Sequence, residues 1–118
     1  MRALFCSIST PGLLYPAIGM ALELQKRGHE VAFVTDSAHT AFLAEHGLER
    51  IARGLRDGPS FAVAQWGMPL AVAIQLKHIE YAMAQFQPDI LIGQPLTLGA
   101  YLAHERYDIP VSYTHLRA

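Results

Sequence analysis

The sequence has little cysteine and little net charge, and these two shortages exclude several classes of protein. Its 118 residues include 1 cysteine, Cys6, so the chain has no internal disulfide. This cysteine usage is typical of a reducing compartment, and we expect a cytoplasmic protein. Lys+Arg 9 against Asp+Glu 10 gives a net charge of −1. The chain therefore lacks the basic stripe of a nucleic-acid binder and the polybasic cluster of an anionic-membrane binder.

Long apolar runs and metal-ligand spacings are also missing. No apolar stretch approaches the roughly 20 residues that a membrane-spanning helix needs, so we expect no transmembrane segment. The 6 histidines form neither a His-x-x-x-His nor a His-Glu-x-x-His pattern, and Cys6 has no second thiol as a partner. We therefore expect no metal site. What the sequence does have is 52% hydrophobic residues, enough for one packed domain.

Short apolar runs alternate with amphipathic segments along the chain. The predicted strands cover residues 3–8, 30–35, 48–52 and 89–93 and begin again at 109. The predicted helices run from about Pro16 to Lys26, from about Ser37 to Gly47, from about Pro69 to Phe86 and from Thr97 to about Tyr107. This alternation favours an α/β fold, a Rossmann-like parallel sheet with helices on both faces. We place the domain at residues 1–110, and we interpret residues 111–118 either as an amphipathic fifth strand or as a foreign tail.

The third predicted helix begins near several large apolar residues. Its core stripe is predicted from Val72, Leu76, Ile79, Met83 and Phe86. Trp66, Met68, Leu70 and Tyr81 are candidates to line an apolar ligand cleft. For Leu70 and Tyr81, packing of the helix on the sheet is the simpler interpretation. For Trp66 both interpretations stay open.

The loop after the first strand is where a nucleotide-binding motif would lie. It contains a single glycine, Gly12, where a dinucleotide-binding G-x-G-x-x-G motif needs three. Asp36 closes the second strand, where a ribose-binding acid would lie, but capping of the next helix explains it more simply. A fragment of an NAD-linked enzyme therefore remains only as an alternative.

Polar residues around the first helix resemble those of a known family. Residues 10–16 are Thr-Pro-Gly-Leu-Leu-Tyr-Pro, and residues 27–35 are Arg-Gly-His-Glu-Val-Ala-Phe-Val-Thr. Together with the first strand, this order resembles the opening of nucleotide-sugar-dependent glycosyltransferases of the GT-B type, families 1 and 28. Residues 87–93 and 103–110 resemble the later Lys-Pro-Asp strand and the helix with Ile-Pro of the same enzymes.

The resemblance implies the N-terminal, acceptor-binding part of such an enzyme. It implies a UDP- or TDP-sugar donor, held mainly by a C-terminal domain without a counterpart in this chain, and a small lipophilic or natural-product acceptor. It implies no cofactor, and this chain alone is expected to be inactive. The expected substrate-binding residues are Pro11, Gly12, Leu13, Trp66, Gln94 and Pro95.

Two positions depart from the family pattern. The family's general base is usually a histidine after the loop glycine, which corresponds to Leu13, and the aspartate that orients it corresponds to Gln94. Neither side chain takes up a proton near neutral pH, so we assign no catalytic residue. Three explanations stay open: an already acidic acceptor, a base from elsewhere, or a module that binds a nucleotide or sugar without catalysis. The candidate bases are His39, expected at the surface, and His78, expected to form a structural hydrogen bond.

Overall fold

A five-stranded parallel sheet forms the centre of the fold, with the strand order β3-β2-β1-β4-β5. The structure is a computed structural model and describes residues 1–52, 61, 69–94 and 97–113. The strands are β1 (Arg2–Cys6), β2 (Glu30–Val34), β3 (Glu49–Arg50), β4 (Ile90–Gly93) and β5 (Val111–Tyr113). The helices are α1 (Pro11–Lys26), α2 (Thr40–Glu45), α3 (Pro69–Phe86) and α4 (Leu98–Tyr107), with a 3₁₀ turn at Ser37–His39.

Helices cover both faces of the central strand. Successive side chains of a strand point to opposite faces, and β1 is buried on both. Leu4 and Cys6 belong to an apolar cluster with residues of α3 and α4, whereas Ala3 and Phe5 belong to a cluster with residues of α1 and α2. The Rossmann-like α/β prediction is confirmed, and the continuous apolar run of β1 is explained by its double burial.

The first helix begins earlier than its sequence predicts. Both Pro11 and Pro16 are compatible with a first-turn position, and the sequence prediction chose Pro16. In the structure α1 begins at Pro11, and Pro16 lies inside the helix. Because proline has no amide hydrogen, Pro16 cannot donate the usual helical hydrogen bond to the carbonyl of Gly12. Pro11, Gly12 and Leu13 therefore form the first helical turn rather than a loop.

The third helix has the predicted bounds, and its core-facing side overlaps the predicted stripe: Ile79 and Phe86 are buried, and Leu76 and Met83 are half-buried against the core. The residues of α3 that face the core are Ala71, Gln75, His78, Ile79, Ala82 and Phe86. The expectation that Leu70 and Tyr81 pack on the sheet is wrong, since Leu70 is 73% exposed and Tyr81 is 42% exposed. Leu70 and Tyr81 each lie one position before a buried alanine, Ala71 or Ala82, and a step of one residue turns a side chain by about 100° around the helix axis. The helix also packs closely on α4, since a Cβ added to Gly99 would lie 2.7 Å from the Cβ of Gln75.

The remaining predictions differ in detail. The second predicted helix is divided into the 3₁₀ turn and α2, and the third strand is shortened to Glu49–Arg50. Residues 111–113 form β5, which pairs in parallel with β4. Residues 114–118 lie outside the described residues, so the foreign-tail interpretation stays a prediction. The division into residues 1–110 and 111–118 stays a proposal.

Candidate functional site

The carboxyl ends of β1 and β4 lie side by side at one edge of the sheet. β1 has β2 on one side and β4 on the other, so the direction of strand order reverses at this point. Ligands of open parallel sheets bind at such a reversal, beyond the carboxyl ends of the strands. The segment after β1 leads directly into α1, and the segment after β4 leads into α4. Both segments carry predicted site residues.

Gln94 connects these two segments through its side chain. Its Oε1 accepts a hydrogen bond of 2.8 Å from the amide of Ile8. Its Nε2 donates to Ser7 Oγ at 3.0 Å and to the carbonyl oxygen of Leu13 at 2.8 Å. Gln94 is 3% exposed. The predicted site residue therefore holds the end of β1 and the first turn of α1 against the end of β4.

The partners of Gln94 require a side chain that both accepts and donates, and an amide does so at every pH. The backbone amide of Ile8 only donates and the carbonyl of Leu13 only accepts, so the side chain between them must both accept and donate. This requirement also fixes which end of the amide faces each partner. An ionised carboxylate, which the family pattern places here, has no hydrogen to donate to Leu13. Gln94 therefore stands where the family has an aspartate, and its hydrogen-bond partners are ones that an amide satisfies and an ionised carboxylate does not.

The first turn of α1 faces open space beside Gln94. Pro11 and Gly12 are exposed and Leu13 is half-buried. Among the described residues, a Cβ added to Gly12 would meet no atom within 4 Å. Thr10 occupies the cap position of α1 without a side-chain hydrogen bond to the helix. Trp66 and Pro95, the other predicted substrate-binding residues, lie outside the described residues, as does Met68.

A histidine joins this edge from the segment after β2. His39 Nε2 lies 2.7 Å from Ser9 Oγ, and both residues are half-buried. The expectation that His39 is a plain surface residue is wrong. A signal was present in the sequence: β1 and β2 were both predicted as strands of one parallel sheet, and the segments that follow neighbouring strands meet at the same edge.

Asp36 helps to position this segment. Asp36 Oδ1 accepts a hydrogen bond of 2.7 Å from the amide of Phe61, and the carbonyl of Phe61 accepts one of 2.9 Å from the amide of Ser9. The expected side-chain cap is wrong, because Asp36 makes no cap hydrogen bond to the 3₁₀ turn that follows it. The carboxylate connects the end of β2 to Phe61 and, through it, to Ser9.

Two other side chains of reactive residue types, His78 and Cys6, are buried and cannot contact a substrate in this structure. His78 is fully buried, and its Nε2 lies 2.8 Å from the carbonyl oxygen of Ile51, which confirms the structural hydrogen bond. Burial raises the pKa of the Cys6 thiol to about 12. Within residues 1–52, 61, 69–94 and 97–113, no group of three or more His, Cys, Asp or Glu side chains could hold a metal ion. No helix in that part of the chain is long and apolar enough to cross a membrane.

A cavity of about 540 Å³ lies at the opposite edge of the sheet, where β1 and β2 begin. Its lining includes Arg2, whose guanidinium forms an ion pair with Glu30 and donates from Nε to the carbonyl of Phe86 at 2.8 Å. The ion pair engages Arg2 and Glu30 with each other. Among the described residues, the lining of this cavity includes none of the predicted substrate positions Pro11, Gly12, Leu13 and Gln94.

Several solved structures of glycosyltransferases have a similar fold. The glycosyltransferase SnogD from Streptomyces nogalater superposes with a TM-score of 0.75 at 21% identity, over 97% of this chain and 34% of that one. The glycotransferase of kitacinnamycin gives 0.73 at 24% identity, over 95% and 29%. The spinosyn rhamnosyltransferase SpnG gives 0.71 at 22% identity, over 96% and 34%. The fold is that of the N-terminal half of a GT-B glycosyltransferase.

Sequence comparison narrows this class to a family. Residues 4–115 match the glycosyltransferase family 28 N-terminal domain, and the chain belongs to that family. A curated relative is 33% identical over 88 residues, which are 71% of this chain and 22% of the relative. It is the UDP-N-acetylglucosamine--N-acetylmuramyl-(pentapeptide) pyrophosphoryl-undecaprenol N-acetylglucosamine transferase of Rhodospirillum centenum. The chain thus spans about a fifth of the length of that relative.

Proposed function

We propose that this chain is the acceptor-binding part of a glycosyltransferase that moves a sugar from a UDP- or TDP-sugar to a small lipophilic or natural-product acceptor. The observation that carries the proposal is the open first turn of α1, held beside the end of β4 by Gln94. In such an enzyme the acceptor hydroxyl attacks the anomeric carbon opposite the departing diphosphate. The remaining donor contacts come from a C-terminal domain.

The donor diphosphate is accommodated at Gly12. Pro11 has no amide hydrogen and the amide of Leu13 is bonded to the carbonyl of Thr10, so the first turn offers the amide of Gly12 to an anion. The helix dipole also favours an anion at this end. Gly12 has no side chain, and in the part of the chain that the structure describes no atom lies within 4 Å of an added Cβ, so a phosphate can approach the backbone. The SpnG rhamnosyltransferase, which has the same fold, has been crystallised with thymidine diphosphate. That ligand supports a nucleoside-diphosphate donor here.

The acceptor lies against Leu13 in this proposal. Leu13 is half-buried, its side chain packs against the core and its carbonyl accepts a hydrogen bond from Gln94, so its exposed part offers the acceptor an apolar wall. Trp66 and Pro95 remain proposed parts of the same wall. The Rhodospirillum relative is named for an undecaprenol-linked acceptor and SpnG for a spinosyn. Both names favour a lipophilic acceptor.

Transfer is tested with the protein encoded by the complete reading frame that contains this chain. UDP-glucose and TDP-glucose are offered with hydrophobic alcohols and phenols, and glycosylated products are detected by mass spectrometry. Leu13→Arg places a charge in the acceptor wall and should raise the acceptor KM by about tenfold or more. The control is Leu102→Arg, a substitution at an exposed position of α4. Equal KM values for the two variants contradict the acceptor assignment.

A second candidate is a module that binds the nucleotide or sugar without catalysis. It is favoured by Leu13 and Gln94, which replace the family's proton-accepting pair with side chains that do not titrate near neutral pH. Calorimetry separates the alternatives: binding of UDP or TDP without any product supports the module. Binding of NAD with no response to UDP or TDP supports the NAD-linked alternative instead.

A further inference from the structure

Ser9 and His39 form the imidazole–hydroxyl pair of the carboxyl edge. Ser9 lies two residues before Pro11, the first residue of α1, on the segment that carries the proposed substrate positions. His39 reaches it from the 3₁₀ turn after β2, with Nε2 at 2.7 Å from the hydroxyl oxygen. A distance of this size joins a hydroxyl and an imidazole in one hydrogen bond.

We propose that the Ser9 hydroxyl and the His39 imidazole together accept the proton of the sugar acceptor's hydroxyl group, in place of the base that Leu13 does not supply. This inference rests on the proposed function. With the imidazole proton on Nδ1, Nε2 accepts a hydrogen bond from Ser9, and the lone pairs of Ser9 Oγ face the acceptor. Histidine is the side chain that most often takes protons in catalysis, because its charge changes near neutral pH.

The proton transfer balances as a relay through Ser9. The acceptor's O–H bond breaks, its proton moves to Ser9 Oγ, and the Ser9 proton moves to His39 Nε2. The electron pair left on the acceptor oxygen forms the new bond to the anomeric carbon of the donor sugar. The bond between that carbon and the diphosphate breaks, and its electron pair leaves with the diphosphate. His39 ends the step as an imidazolium ion and returns its proton to solvent.

The surroundings hold the pair in position without competing for it. The amide of Ser9 is bonded to the carbonyl of Phe61, which Asp36 holds from the end of β2. Two charged side chains of the described neighbouring segments have other partners: Asp36 accepts from the Phe61 amide, and Arg50 donates to the Thr35 carbonyl and to Thr40 Oγ1. In the described part of the chain, His39 Nδ1 has no hydrogen-bond partner and remains open for the exchangeable proton.

The first test compares two acceptors in the protein from the complete reading frame. A weakly acidic benzylic alcohol, 4-nitrobenzyl alcohol, needs a base, whereas an acidic phenol, 4-nitrophenol, ionises without one. His39→Gln keeps a hydrogen-bonding side chain but takes no proton. It should lower kcat/KM for the alcohol by about 100-fold or more, and for the phenol by less than about tenfold. Ser9→Ala should show the same acceptor dependence, and Ser9→Thr, which keeps the hydroxyl, should restore transfer to the alcohol.

The matched control is His46→Gln, at an exposed histidine after α2 whose Nδ1 lies 2.9 Å from the Phe42 carbonyl oxygen. It should leave transfer to both acceptors unchanged. Equal losses for the two acceptors in His39→Gln would overturn the proton-accepting role and indicate a structural one. A wild-type enzyme that transfers no sugar to any acceptor refutes the proposed function, an outcome distinct from the loss of the pair alone.

The second test needs no transfer at all. In the 118-residue chain, nitrogen NMR of the histidine ring reports which nitrogen carries the proton. We expect neutral His39 to be protonated at Nδ1, and Ser9→Ala to shift the Nε2 resonance. A proton on Nε2, donated to Ser9, would overturn the inference, because the imidazole would then have no lone pair facing the hydroxyl.

Discussion

Replacing Gln94 with glutamate tests the connection between β1, α1 and β4 directly. The carboxylate keeps an acceptor for the Ile8 amide but has no hydrogen for the Leu13 carbonyl, which now lies 2.8 Å from the Gln94 nitrogen. Loss of that donated bond costs about 1 kcal/mol. Burial of a charge opposite a carbonyl favours the neutral acid, so the pKa of the introduced carboxyl should be higher in the folded state. Only the protonated form can donate to Leu13.

The consequence depends on pH with a definite sign. A group whose pKa is raised on folding binds more protons when folded, so stability falls as pH rises above its unfolded value of about 4.3. A shift of about two pKa units gives a deficit of roughly 3 kcal/mol near pH 8 and roughly 1 kcal/mol near pH 5. Urea unfolding followed by circular dichroism at both pH values, relative to wild type, measures the deficit.

The control replaces glutamine with glutamate at a solvent-exposed position. Gln85 is exposed on α3, so Gln85→Glu should stay within about 0.5 kcal/mol of wild type at both pH values. If the deficit of Gln94→Glu is no larger than that of Gln85→Glu, the buried amide does not stabilise the edge. A deficit independent of pH would show that the Leu13 carbonyl does not face the introduced carboxyl.

Three further outcomes are expected. Gly99→Ala should destabilise the chain by about 1–3 kcal/mol in urea unfolding, because the added Cβ would lie 2.7 Å from a carbon of α3. The control is Gly19→Ala on α1, where an added Cβ meets no described atom within 4 Å, and it should be neutral or stabilising by up to about 1 kcal/mol. Equal effects of the two substitutions would contradict the close packing of α3 on α4. Burial raises the pKa of Cys6 to about 12, so its thiol should react with Ellman's reagent near neutral pH only after unfolding in urea, and rapid reaction of the native chain would refute its burial. The free energy of unfolding of the double variant Leu13→His with Gln94→Asp should be about 2 kcal/mol lower than that of Leu13→His alone, since the aspartate cannot donate to the carbonyl at position 13. Equal urea midpoints for the two variants would show that the hydrogen bond from residue 94 to this carbonyl does not stabilise the fold.

Proline placement explains where the sequence located helices well and where it did not. The end of α3 was predicted closely because Pro88 stops the helical pattern two residues after Phe86. The start of α1 was missed because two prolines, Pro11 and Pro16, both have the φ angle of a first turn. Hydrophobic spacing cannot decide between them. Tertiary contacts at Leu14, buried under β1, favour the earlier start.

The candidate site was predicted only in part, because its contacts join distant segments. Leu13 and Gln94 were singled out as departures from the family pattern. Their hydrogen bond could not be seen, since it joins a side chain to a backbone carbonyl 81 positions away. His39 and Ser9 are 30 positions apart and meet only because β1 and β2 are neighbours. A hydrogen bond to a backbone carbonyl does not depend on which residue carries that carbonyl, so no pattern of residue types predicts it. These contacts follow from the order of the strands in the sheet.

The central position of β1 governs how the chain folds as it is synthesised. One edge of β1 pairs with residues 30–34 and the other with residues 90–92. β1 therefore has both of its neighbouring strands only after residues 90–92, late in the described chain, have been synthesised. Parallel pairings of such large sequence separation form slowly, and an unpaired edge is open to association with other strands. In pulse-labelled refolding, we expect amides of β1 and β4 to become protected in the same late phase.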